Sequence, residues 1–161
     1  MNRLLNRLLN RSLVVLASLA LGACNLDVAQ PPNSPSDPAT ETFASNLNVD
    51  LSTMQKTAAG DYYKDGKVGT GAELTLTSPA RAVIVTYQAF IKTGATFASA
   101  QNQLATINTF PVGMQDGMSG MREGGERLIV IPSALGYGNT PGAPVPPNST
   151  LIVDVILNQL P

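Results

Sequence analysis

Chemistry in this chain has to come from few reactive side chains. Cys24 is the only thiol, and histidine and tryptophan are absent. No Ser-His-Asp triad, Cys-His pair or histidine metal cluster can be assembled. One cysteine closes no internal disulfide and forms no CxxC redox pair. Gly69-Thr-Gly71 lacks the Lys-Ser/Thr of a phosphate-binding loop and follows no strong strand, and the acids show no metal-ligand spacing. The reading is a chain that uses neither metal nor cofactor. A net charge of −1 supplies no basic surface for nucleic acid. What remains is four tyrosines and four phenylalanines. Most such rings serve packing, but Tyr137 sits between Gly136 and Gly138 at the entrance to a proline-rich loop. A ring placed there has little packing to do.

The elements that must position these groups follow from an uneven charge distribution. Residues 1–23 carry Arg3, Arg7 and Arg11 and no acid; residues 24–53 carry Asp27, Asp37, Glu41 and Asp50 and no base; residues 54–161 balance. In the first region the arginines precede the apolar run Leu13–Leu21, which is too short to span a bilayer and fits the core of a signal peptide. It ends in Leu21-Gly22-Ala23-Cys24, which resembles a bacterial lipobox. That resemblance implies cleavage before Cys24 and acylation of its thiol, placing the protein on the periplasmic side of the bacterial cell envelope. Asn25 follows the cysteine where the inner-membrane signal has aspartate, so the outer membrane is preferred. Residues 24–53, with Pro31, Pro32, Pro35 and Pro38 among polar residues and no hydrophobic period, read as a flexible tether.

Residues 54–161 are enough for one core. Ala82–Phe90, Leu128–Ile131 and Leu151–Leu157 are β-branched runs and read as strands, with Glu73–Thr77 a weaker fourth. Met114, Gly117, Met118 and Met121 recur at helical spacing and predict a short helix packed through its methionines, with Gly124-Gly125 as the stop. The stretch 136–149, rich in proline and glycine, predicts an ordered or semi-rigid loop. The fold class is α+β: a curved antiparallel β-sheet wrapped around one short α-helix.

Several stretches of this region together resemble an FKBP-type peptidyl-prolyl cis–trans isomerase. They are Val85-Thr-Tyr87, Gly94-Ala-Thr-Phe97, Gly113–Met121, Gly124–Pro132, Leu135-Gly-Tyr-Gly138 and Val145-Pro-Pro-Asn-Ser-Thr-Leu-Ile-Val-Asp-Val155. The resemblance implies catalysis of rotation about the bond before proline, a barrier of about 18–20 kcal/mol set by amide resonance. It implies a pocket with Tyr87 and Phe97 as walls and Tyr137 as donor to a substrate carbonyl. Phe110, Pro111, Met114, Val145 and Val153 are the further substrate-binding positions. The implied partners are proline-containing polypeptide clients. A monomer is expected, because the helical extension through which longer relatives dimerise is replaced by the tether.

Three positions depart from the family pattern. Ala98 replaces an aspartate, Met114 a tryptophan floor, and Pro111 an isoleucine that offers a backbone N–H. Real but low activity is therefore expected, and the alternative is an FKBP-like binding or chaperone module anchored to the membrane.

Overall fold

The computed structural model describes residues 34–78, 81–140 and 143–161. The expected signal peptide, Cys24 and the first part of the expected tether lie outside the described residues. Among the described residues six antiparallel strands form one sheet: β1 (Gln55–Lys56), β2 (Tyr62–Lys67), β3 (Ala82–Ile91), β4 (Thr96–Thr106), β5 (Gly125–Ile131) and β6 (Leu151–Gln159). Their order across the sheet is β1-β2-β5-β6-β3-β4, so the last strand in the chain lies at the centre. One helix, α1 (Val112–Met118), crosses the concave face. The α+β sheet-and-helix architecture expected from the sequence is the one observed.

Strand alternation sets the core. On β3, Val83, Val85 and Ala89 point inward and are buried; on β6, Leu151, Val153, Val155 and Leu157 do the same. Met114 and Met118 of α1 close over them. The helix sits close because two of its residues have no side chain. A Cβ on Gly117 would meet Ile129 Cγ2 at 2.5 Å, and one on Gly113 would collide with Ile131. The helix ends at Met118, earlier than the glycine pair that was expected to stop it. Its C-terminal carbonyls need partners, and buried Arg127 supplies them. The guanidinium donates to Gly117 O at 2.8 Å and Ser119 O at 3.0 Å, while Asp65 accepts at 2.7 and 3.2 Å. Tyr63 stacks under the same guanidinium at 4.2 Å.

Two expectations are corrected. Glu73–Thr77 is not a strand; it forms a single bridge between Glu73 and Arg122. Leu74 is nonetheless fully buried, and its backbone bonds Met121 and Gly120. The tether does not extend to residue 53. Residues 34–53 form a strap with three 3₁₀ turns, at Pro38–Thr40, Ser45–Leu47 and Leu51–Thr53. Leu47 packs on Val130 and Ile152 on the outer face of the sheet, supported by Phe43, Val49 and Leu51. Asp37 and Asp50 cap two of the turns by accepting from Ala39 N and Ser52 N. The apolar side chains of the strap follow no helical or strand period because they are set by turns, yet they bury enough surface to order it.

Candidate functional site

A cavity of about 200 Å³ opens between the concave face of the sheet, the start of α1 and the loop after β5. Each element contributes by its own geometry. Tyr87 stands on β3 opposite Val155 of β6, facing the helix side. Phe97 comes from the start of β4, where the register shifts. Phe110 and Pro111 lie between a 3₁₀ turn and α1, and Pro111 suits that place because its fixed φ, here −51°, is close to helical. Its carbonyl accepts from Met114 N at 2.9 Å and Gln115 N at 3.1 Å. Met114 and Val153 are buried and make the floor.

The aromatic walls are two edge-on pairs. Tyr87 meets Phe110 at 5.8 Å between centroids and 85°; Phe97 meets Tyr137 at 6.2 Å and 78°. Such crossed rings hold one another's orientation while leaving faces free. Tyr137 is carried by the turn after Ser133–Leu135, where Gly138 at φ +55° allows the chain to double back. Its hydroxyl has no hydrogen-bond partner among the described residues. Burial, and then the nearby Tyr87 hydroxyl, push the Tyr137 phenol above its ordinary range, so it remains a protonated donor at neutral pH.

Seven of the eight pocket residues expected from the sequence thus converge: Tyr87, Phe97, Phe110, Pro111, Met114, Tyr137 and Val153. Val145 does not line the cavity. It is 7% exposed and packs into the main core, since an apolar side chain in a proline-rich loop gains more by facing inward than by facing the opening. Residues not singled out by sequence also line the cavity, including Ala89, Gln103, Ala105 and Thr109. Ala89 was legible, since it shares the inward face of β3 with Tyr87. Gln103 was not. A bulge at Asn102, with φ +48° and its N–H donating to Thr86 Oγ1 at 3.1 Å, reverses the parity of β4 and aims Gln103 inward.

Among the described residues no charged side chain lines the cavity. Its polar groups are the two tyrosine hydroxyls, the Gln103 amide and Thr109, whose hydroxyl already donates to Thr106 O at 2.7 Å. Ala98 and Pro111 both sit on the wall, one without a carboxylate and the other without an N–H. This is an apolar slot with a few donors, suited to holding a peptide segment and unsuited to nucleophilic or metal chemistry. A larger open groove, about 840 Å³, crosses the outer face of the sheet where the strap leaves it uncovered. It is lined by Lys64, Gln88, Glu126 and Asp154 among others and has no comparable convergence of rings.

The family model for FKBP-type peptidyl-prolyl cis-trans isomerase matches residues 75–158, which is 84 of the 161 residues. The chain belongs to this family. Among curated proteins, the FK506-binding protein of Neisseria meningitidis serogroup B is 39% identical over 83 residues, covering 47% of this chain and 75% of that one. The chloroplastic peptidyl-prolyl cis-trans isomerase FKBP16-4 of Arabidopsis thaliana is 36% identical over 109 residues, covering 59% of this chain and 46% of the relative. The chain therefore spans about half the length of that plant relative. The crystal structure of FkpA from Escherichia coli matches with a TM-score of 0.61 at 26% identity, covering 67% of this chain and 51% of that one. The matched family segment contains all seven converging residues and begins after the strap.

Proposed function

We propose that this protein is a peptidyl-prolyl cis–trans isomerase that takes X-Pro segments of polypeptide clients into the aromatic cavity. The observation that carries the reading is the cavity itself, walled by the Tyr87–Phe110 and Phe97–Tyr137 pairs, with the Tyr137 hydroxyl unpartnered at its edge among the described residues. Rotation about an X-Pro bond needs no bond to be made or broken. The planar amide is held by resonance, which places negative charge on its oxygen and invites hydration. The twisted amide has lost that resonance and is less polar. A slot lined by rings, Met114 and Val153 favours the twisted form over the planar one, while Tyr137 holds a neighbouring carbonyl in place. Every step is binding and orientation by the chain's own side chains.

The setting proposed is the bacterial cell envelope, on the periplasmic side. The protein is anchored through acyl chains on Cys24, preferentially at the outer membrane, and acts as a monomer on folding clients. Two or more chains give a stable anchor where one does not. Cys24→Ser in the full chain is expected to move the protein from the membrane fraction to a soluble or uncleaved form. Recovery of wild-type protein as soluble material with an unmodified thiol would sink the anchoring reading. The isomerase reading is tested by acceleration of cis–trans exchange in short X-Pro peptides by the full chain. The second reading, a binding module with little catalysis, rests on Pro111, which removes a backbone donor from the cavity wall. Peptide binding in that cavity without rate acceleration would favour it.

A further inference from the structure

Tyr137 is carried by a loop whose two roots are fully buried polar residues, Ser133 and Thr150, at 0% and 1% exposure. A buried hydroxyl needs a partner, and both roots meet the same one. Ser36, in the N-terminal strap, donates its backbone N–H to Ser133 Oγ at 2.8 Å. Its own hydroxyl shares a hydrogen bond with Thr150 Oγ1, also at 2.8 Å. Ser36 is itself buried, and it lies 97 and 114 residues from its partners. One residue therefore links the points where the loop leaves β5 and enters β6.

The loop transmits that constraint. Gly138 N–H donates to Ser133 O at 2.8 Å, and Asn148 N–H donates to Gly138 O at 2.7 Å. Tyr137 thus sits one residue from a junction tied directly to the Ser133 root. Ser36 is held from the other side as well. The turn that follows it is capped by Asp37 and buries Pro38, and further along Glu41 pairs with Lys92 at 2.8 Å while Ala44 N–H donates to Lys92 O.

We propose that Ser36 is a positioning residue that sets the place of the Tyr137 hydroxyl by tying together the two roots of its loop. The strap is then a functional part of the site, although it lies outside the matched family segment. The activity arm of this proposal rests on the isomerase reading; the conformational arm does not.

The test uses the full chain carrying Ser36→Ala, Thr150→Val, the double variant, and Ser36→Thr. Amide hydrogen exchange is followed by residue, and kcat and KM are measured on X-Pro peptides. Ser36→Ala removes one hydrogen bond and keeps the N–H to Ser133, so the fold is retained. Exchange within 134–149 is expected to quicken roughly two- to tenfold while β5 and β6 are unchanged. The rate constant kcat is expected to fall several-fold with KM little altered, because the walls other than Tyr137 stay in place. Thr150→Val is expected to match it, the double variant to add nothing, and Ser36→Thr to restore both readouts. Exchange that rises equally across the sheet, or that does not change in the loop, overturns the proposal. So does a loosened loop with wild-type kcat. If wild type itself shows no isomerisation, the isomerase reading falls, and the exchange profile alone decides whether Ser36 holds the loop.

Discussion

Tyr137→Phe removes one oxygen and leaves the ring, so it separates the donor from the wall. The edge-on contact with Phe97 at 6.2 Å is preserved. Because the hydroxyl has no partner among the described residues, folding loses nothing by its removal, and stability is expected to change by no more than about 0.5 kcal/mol. Its loss is felt only if a substrate carbonyl is held by it. A net hydrogen bond of about 0.5–1.5 kcal/mol that strengthens as the amide twists corresponds to a roughly two- to twelvefold fall in kcat/KM. The pH profile adds a second readout. Burial and the neighbouring Tyr87 raise the phenol's pKa, so wild-type activity is expected to stay level to at least about pH 9, well below the usual tyrosine range. The assay is cis–trans exchange of an X-Pro peptide against the uncatalysed rate, alongside thermal unfolding of the same samples. An unchanged kcat/KM at unchanged melting temperature would refute the donor role and leave Tyr137 a wall residue only.

Three further outcomes are expected. Pro111→Ile supplies the missing N–H on the cavity wall and frees the backbone at the start of α1; kcat/KM is expected to rise by up to about tenfold with a slightly lower Tm, and equal activity would show that the N–H is not what limits catalysis. Arg127→Met strands the Gly117 and Ser119 carbonyls and the Asp65 carboxylate together, so denaturant unfolding should show a loss of about 3–5 kcal/mol, and a loss under 1 would contradict the capping role. Asp61 is fully buried; burial foremost, with Asp116 adding to it, pushes its carboxyl above the usual range despite the bond from Thr57. Folding thus favours the protonated form, and stability falls as pH rises from about 3.9, the unfolded value, through the raised folded one. Asp61→Asn is expected to flatten that decline and raise Tm at pH 7 more than at pH 4, which a pH series of melting curves checks.

The parts of this architecture that could be read in the sequence are those whose residues serve one purpose. β3, β5 and β6 are β-branched runs, and Met114 and Met118 mark the inner face of α1 by spacing alone. β4 was not legible. Its Ala, Ser, Gln and Asn residues have no strong strand preference, and it is held as an edge by pairing with β3. β2, with the sequence YYKDGK, is likewise formed by its partner β5. The order in the strap has a signal in the strands beneath it. Leu128–Ile131 and Leu151–Val153 are continuous apolar runs, and unbroken runs mean that both faces of the strand are covered. Something had to lie on Val130 and Ile152, and Phe43 and Leu47 were the apolar residues left to do it. In the site, Tyr137 could be found from its flanking glycines, whereas Gln103 depended on a bulge that no local pattern announces.

The central position of β6 has a consequence for how the chain is made. β3 and β5 do not pair with each other; each pairs with β6, the last strand of the sheet in chain order. Until β6 has been synthesised, β3–β4 and β1–β2–β5 are two separate ladders with no strand between them to join them. The sheet closes only when β6 arrives. Long-range pairing of this kind is slow and leaves strand edges open meanwhile. A protein proposed to hasten the folding of others is thus itself a client for such help until its final strand is released.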